Sequence, residues 1–266
     1  MKIYQVDSFT RAPFAGNPAA VCFLEEARDE AWMQAIASEI NLSETAFCVI
    51  GQALHPIRYF TPEIEVPLCG HATLATAHLL WELGIVAPAT AIRFRAEAGE
   101  LQAEQRGERV AMNFPAYSSR TAEPPAEILE VLGGLPAEYR IAENGDALAV
   151  LESEEAVWAL APDFRRLATA PVEALCVTAP ARSTDADFVS RYFAPRAGIN
   201  EDPVTGVAHC IMAPYWFERL GRTSLVGRQI SLRGGTVYVS ASDSPGRVWI
   251  EGNAITIFHI EVLRPD

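Results

Sequence analysis

The chain has 266 residues, half of them hydrophobic and 21% charged, a globular composition long enough for one large domain or two ordinary ones. A chain of this size buries roughly 75% of its unfolded surface and needs no disulfide or metal staple. Its formal net charge of −13 argues against nucleic acid and against an anionic membrane as partner. It leaves a small anionic ligand open, because a helix N-terminus opposes the global field locally.

Residues 3–9 read as a strand, with no basic region and apolar core of a signal peptide ahead of them, so a cytoplasmic protein is expected. No apolar run approaches the roughly 18 residues of a membrane span. The five cysteines form no CxxC pair; Cys22, Cys48 and Cys176 lie in apolar runs and read as reduced core thiols. A turn-rich loop over 11–18 precedes a strand at 19–24. Asp29 then reads as the N-cap of a helix to about residue 40, with Trp32, Ile36 and Ile40 on one face. Residues 41–44 form a polar loop before strands at 45–50 and 57–60. Residues 72–83 are apolar on nearly every face, which marks a buried helix, closed by Gly84. A strand meander at 91–96, 101–105 and 109–114 turns at Gly99 and Gly107. Proline, serine and threonine over 115–125 place a domain boundary there, giving halves 1–116 and 117–266. The second half reads as helix 127–132, strands 139–142 and 147–151, helix 154–160 and a buried strand at 175–178. A helix at 207–220 follows, which Pro214 should kink, and then strands at 229–233, 236–241, 247–251 and 254–263.

The halves repeat each other in order. Ala46-Phe47-Cys48-Val49 answers Ala174-Leu175-Cys176-Val177, and Arg58-Tyr59-Phe60-Thr61-Pro62 answers Arg191-Tyr192-Phe193-Ala194-Pro195. Pro67-Leu68-Cys69-Gly70-His71-Ala72 answers Pro203-Val204-Thr205-Gly206-Val207-Ala208, and each block leads into an apolar helix. The second copy carries extra residues in a loop over 198–202. Duplication of a domain accounts for this better than chance or a solenoid. Two such halves can set two helix starts across a cleft, the expected place for a small ligand.

Gly70 and His71 sit at the first turn of the first apolar helix, where unpaired N–H groups favour an anion and disfavour imidazolium. A neutral, hydrogen-bonding His71 and a merely structural one stand even on this ground. Glu44 lies at the lip of an apolar strand, where a raised pKa would suit acid/base work; by residue type alone it reads as solvated. Asp202 precedes Pro203 and the second helix start, open to capping or to catalysis; Glu201 beside it reads as solvated. Cys69 reads as a buried apolar thiol, its repeat partner being Thr205. His78 reads as core, and His55 and His259 as structural. His209 and Cys210 lack the HxxxH or CxxC spacing of a metal site. No GxGxxG after a strand, GxxxxGK[ST] or GxSxG occurs, so nucleotide binding and the serine-hydrolase elbow are unsupported.

Six segments together resemble the PhzF-like family, named for a phenazine-biosynthesis isomerase. They are Val6-Asp7-Ser8-Phe9-Thr10, Gly16-Asn17-Pro18-Ala19-Ala20-Val21, Asn41-Leu42-Ser43-Glu44-Thr45, Arg58-Tyr59-Phe60-Thr61-Pro62, Leu68-Cys69-Gly70-His71-Ala72-Thr73 and Glu201-Asp202-Pro203-Val204-Thr205-Gly206. The resemblance implies an α+β, diaminopimelate-epimerase-like fold: two similar halves, each a curled sheet or barrel around a central helix, with strand 254–266 a candidate to return to the first half. It implies a homodimer acting on a small anionic substrate, with no metal and no organic cofactor. Glu44 is then the proton carrier, assisted by His71 and Asp202, while Gly70, Thr205, Gly206 and Val207 bind substrate. Similar proteins commonly carry serine where this chain has Val207. The expected activity is an isomerase moving a proton within a small carboxylic acid, cyclic or amino-acid-like. A racemase or epimerase using Cys69, and a non-catalytic small-molecule binding protein on the same fold, are the alternatives.

Overall fold

The computed structural model describes residues 1–263. The chain divides into two compact units, Met1–Asn113 together with the segment from Glu251, and Phe114–Ile250. Residues 264–266, the end of the expected returning strand, lie outside the described residues.

The first unit is built from strands β1 (Lys2–Ser8), β2 (Asn17–Leu24), β3 (Glu44–Val49), β4 (His55–Phe60) and β5 (Glu65–Val66), with helices α1 (Glu30–Ile40) and α2 (Gly70–Glu82). The meander β6 (Ile92–Ala96), β7 (Gly99–Arg106) and β8 (Arg109–Pro115) follows. Asp29 caps α1, its carboxylate accepting from the Trp32 N–H at 2.8 Å. Strand β1 pairs antiparallel with β2, β2 runs parallel to β3, and β3 antiparallel to β4. The sheet curls around α2, which packs on β1, β2 and β3. Ten of its residues are buried, from His71 to Trp81, as expected of a helix apolar on every face.

The second unit opens with β9 (Ser119–Thr121), α3 (Ala126–Leu132), β10 (Glu138–Ala142), β11 (Ala147–Val150), α4 (Glu154–Ala159) and α5 (Phe164–Leu167). It continues through β12 (Leu175–Pro180), β13 (Phe188–Ala194), β14 (Ile199–Asp202), α6 (Gly206–Leu220), β15 (Ser224–Gln229), β16 (Gly235–Ala241) and β17 (Arg247–Gly252). The last strand, β18 (Ala254–Glu261), pairs antiparallel with β1 and so belongs to the first unit.

The repeat holds at the level of pairing sense. The first unit pairs β1–β2 antiparallel, β2–β3 parallel, β3–β4 and β4–β5 antiparallel, β4–β6 parallel and β6–β7 antiparallel. The second unit repeats that series with β10, β11, β12, β13, β14, α6, β15 and β16. Each central helix leads into the strand that pairs parallel to the RYF strand. The extra residues over 198–202, read as a loop, form β14, the counterpart of β5. The correspondence extends to ion pairs: Arg58 grips Glu65 with two guanidinium nitrogens, and Arg191 grips Glu201 likewise at 2.7 and 2.9 Å. Glu201 is therefore a paired, mostly covered carboxylate and not a solvated one.

The first matched block is out of register by two residues. Phe47 stands opposite Arg58, whereas Val177, not Leu175, stands opposite Arg191. A slip of two keeps every side chain on its face, which is why the block matched so readily by residue type. In the corrected register Glu44 corresponds to Ala174, and His71 to Val207.

Other expectations shift. The strand expected at 229–233 lies at β15, where Leu225, Gly227 and Gln229 face inward and Leu232 ends fully exposed in the turn beyond. His78 is partly exposed, within 3.7 Å of Glu82 and 3.3 Å of Thr256, because it falls on the α2 flank next to β18. His55 is buried and donates to the Val49 carbonyl at 3.3 Å, while His259 is exposed beside the Tyr4 ring. Helix α6 runs on through Pro214. Pro214 leaves the Cys210 carbonyl without its i+4 donor, and the Tyr117 N–H fills it at 3.0 Å. Among the described residues no helix is long and apolar enough to cross a membrane.

Candidate active site

Strands β2 and β3 are parallel, so both start at one end of the first sheet, where antiparallel β1 finishes. That geometry brings Ser8, Asn17 and Glu44 to the entry of α2. Glu44 is the first residue of β3, opposite Ala19, and its side chain is only 12% exposed. The reading of a solvated loop glutamate is thereby overturned. Its Oε2 lies 3.2 Å from His71 Nε2.

His71 is held from several sides. Its carbonyl accepts from the Ser8 hydroxyl at 2.8 Å, and its Nδ1 lies 3.2 Å from the Asn17 amide nitrogen. An amide N–H can only donate, so Nδ1 accepts and the ring carries its proton on Nε2. Burial pushes the His71 pKa down from 6.5 to about 3, so the ring is a neutral donor at neutral pH. Cys69 Sγ is 3.4 Å from Nδ1 and 3.9 Å from Nε2. The Ser43 hydroxyl is 3.4 Å from Nε2. Cys69 occupies the N-cap of α2 but its side chain makes no cap bond. The first-turn N–H groups, including those of Gly70 and His71, therefore have neither an intrahelical acceptor nor a side-chain cap.

The corresponding turn of the second unit is chemically different. Asp202 ends β14 opposite Tyr192 and is buried. The Thr205 hydroxyl donates to the Asp202 carboxylate, so Thr205, expected to bind substrate, is engaged in holding Asp202. Gln229 locks both: its amide oxygen accepts from the Thr205 N–H at 2.9 Å, and its amide nitrogen donates to the Asp202 carbonyl at 2.7 Å. Thr205 caps α6 without a side-chain cap bond, which leaves the N–H groups of Gly206 and Val207 in the same state as those of the first turn. One turn on, His209 Nδ1 donates to the Thr205 carbonyl at 2.8 Å, and burial lowers its pKa to about 4. Cys210 beside it is buried, its thiol pushed up to about 12, as an inert core thiol should be.

In the sequence, Glu44 and His71 are joined only by the resemblance; in the structure they lie 3.2 Å apart. Ser8, Asn17 and Ser43 stand in the matching segments, where no local pattern ties them to His71. Gln229 was missed, although a buried glutamine in the inward row with Leu225 and Gly227 is the available signal.

A curled α+β unit closed round one buried helix, and repeated once, defines the epimerase-like fold class. The chain shares that fold with a probable proline racemase from Agrobacterium radiobacter at a TM-score of 0.62 and 13% identity, covering 99% of this chain and 93% of that one. Within it the chain belongs to the PhzC-PhzF family, whose model, described as phenazine biosynthesis-like protein, matches residues 6–260. An uncharacterized isomerase from Halalkalibacterium halodurans is 43% identical over 98% of each chain. A PhzF-family phenazine biosynthesis protein from Enterococcus faecalis, solved by crystallography, is 40% identical with a TM-score of 0.91 over 97% of each chain.

Proposed function

We propose that the chain is an isomerase that moves a proton within a small anionic carboxylic acid, cyclic or amino-acid-like, with Glu44 as the carrier. The observation that supports this most directly is the largely buried Glu44 carboxylate lying 3.2 Å from the His71 ring, which burial holds neutral, beside an uncapped helix start. A carboxylate at the edge of an apolar wall takes a proton from a carbon acid, and an imidazole held neutral beside it does not compete for that proton. The N–H groups at Gly70 stabilise the charge that develops on the substrate. Roles for Asp202, Gly206 and Val207 and the homodimer are carried from the resemblance, and a cytoplasmic setting from the cysteines read as reduced core thiols. Thr205 is reassigned to positioning Asp202.

Incubating the protein with pooled small carboxylic acids in D₂O should wash deuterium into one of them. Glu44→Gln should lower that exchange by about 10²–10⁴-fold with little change in thermal stability; full exchange in this variant would sink the role. The second reading, a cysteine-based epimerase, draws on Cys69 Sγ lying 3.4 Å from the imidazole. Cys69→Ser separates the two, because only the epimerase reading expects activity to collapse. Absence of exchange in any acid that binds would favour the non-catalytic binding reading, which Val207 keeps in play.

A further inference from the structure

The first unit holds a second concave site, at the opposite end from Glu44. Glu44 opens β3 and Gly70 opens α2, whereas this cavity lies where β3 and α2 finish. Helix α2 has 13 residues, which at roughly 1.5 Å per residue sets its ends about 20 Å apart. The cavity has a volume of about 620 Å³, within the roughly 300–1,000 Å³ of small-molecule sites. Its polar lining is Glu25, Gln52 and His55, and its apolar wall is Ile50, Ile85 and Val86. The Val86 N–H donates to the Leu80 carbonyl at 2.9 Å, which folds that wall back against the end of the helix.

Two observations point to an occupant. His55 is only 6% exposed, and its Nδ1 donates to the Val49 carbonyl at 3.3 Å, so in the neutral ring Nε2 is left as an acceptor. Among the described residues nothing donates to that Nε2, and nothing pairs with the Glu25 carboxylate or the Gln52 amide. A polar atom on a buried side chain without a partner is unfavourable, and a donor on a ligand removes that cost. The lining also has one sign. Glu25 supplies a carboxylate, and no lysine or arginine lines the cavity. Helix α2 ends beside it with no basic residue in its last turn, so the negative end of the helix dipole is not offset.

We propose that this cavity is a binding site for a small primary ammonium compound with an apolar body. The ammonium group donates to His55 Nε2 and pairs with Glu25, and the apolar body covers Ile50, Ile85 and Val86. Binding is non-covalent. The site is separate from the turn at Glu44 and His71, and it stands whether or not the chain is an isomerase.

The probes are 2-phenylethylammonium, its trimethylated form, 2-phenylethanol and phenylacetate, each titrated into the full chain while the His55 ring nitrogens are followed by NMR. The primary ammonium should bind most tightly, with the roughly millimolar affinity of so small a ligand, and should shift the Nε2 signal until it saturates. The trimethylated form has no N–H to donate and should bind more weakly. The uncharged alcohol should also bind more weakly, and phenylacetate should leave the His55 signals unmoved. Glu25→Gln should weaken the primary ammonium about 2–5-fold, the usual worth of one exposed ion pair, and Glu25→Arg should weaken it further. Both changes fall on an exposed side chain, so loss of binding through loss of fold is not expected. No shift at His55 with the primary ammonium, phenylacetate binding there as well as the ammonium does, or an affinity unchanged in both Glu25 variants overturns the site. Equal binding of the trimethylated form overturns the hydrogen bond to Nε2, and with it the choice of a primary ammonium.

Discussion

The state of one imidazole decides what the first turn can do. His71 carries its proton on Nε2 because Asn17 donates to Nδ1 at 3.2 Å, and its pKa stands at about 3 because it is buried. Asn17→Asp should undo both. A carboxylate against Nδ1 draws the ring proton to that side, or stabilises imidazolium, so the His71 pKa should rise from about 3 toward its ordinary range. Glu44 then lies beside a bare nitrogen or a competing cation, and exchange should fall, by less than the roughly 10²–10⁴-fold that loss of the carrier itself costs. Imidazole NMR shifts followed over pH would report the titration, and an unmoved His71 would reject this account of the tautomer. None of this was legible in the sequence. Asn17 and His71 are 54 positions apart, and only the pairing of β1, β2 and β3 says that their side chains meet.

Elements were more legible than sites, and unevenly so. The central helices showed themselves by being apolar all round, and α1 by its Asp29 cap, since both signals are local. Strand β15 was displaced because residues 229–233 alternate as well as 224–229 do; what separates them is which side chains find a partner surface. Gly227 lies under the Phe188 ring, where an added Cβ would come within 2.6 Å of the ring and 2.9 Å of His209 Nε2. That contact fixes β15 against β13 and α6, and no local pattern announces it. Gly227→Ala should therefore cost about 1–3 kcal/mol, read as a lowered denaturant midpoint with an unchanged m-value. Pro214 gives the opposite test. A proline in a helix interior ordinarily costs about 3 kcal/mol against alanine, yet the carbonyl that it strands already accepts from Tyr117 at 3.0 Å. Pro214→Ala should gain well under that amount; recovery of the full cost would show that the Tyr117 bond contributes little.

At the scale of the whole chain, duplication preserved the pairing pattern and let the two turns diverge. Where the first unit has Glu44 and His71, the register puts Ala174 and Val207 in the second, so the proposed carrier has no counterpart and a one-carboxylate reaction suits the chain better than a symmetric two-base one. The second unit keeps a buried histidine elsewhere, at His209, and this has a consequence for acid stability. His209 donates from Nδ1 to the Thr205 carbonyl and otherwise meets the Phe188 ring, while burial sets its pKa at about 4 against 6.5 for an ordinary histidine. Above pH 6.5 the ring is neutral in both states and its contribution is fully present. Between about 6.5 and 4 the unfolded chain binds a proton that the folded chain refuses, so stability falls as pH falls, by up to about 1.4 kcal/mol per unit and about 3 kcal/mol in all. Below about pH 4 both states are protonated and this loss stops growing. His71 adds a similar slope, but Glu44 lies 3.2 Å from it, so its titration belongs to the pair. His209→Leu is the cleaner comparison. The variant should be less stable than the parent at pH 7.5, having lost the bond to Thr205, and the gap should narrow steadily toward pH 4.5 in denaturant melts. A gap that stays constant over that range would mean that His209 does not take up its proton on unfolding in the way its burial requires.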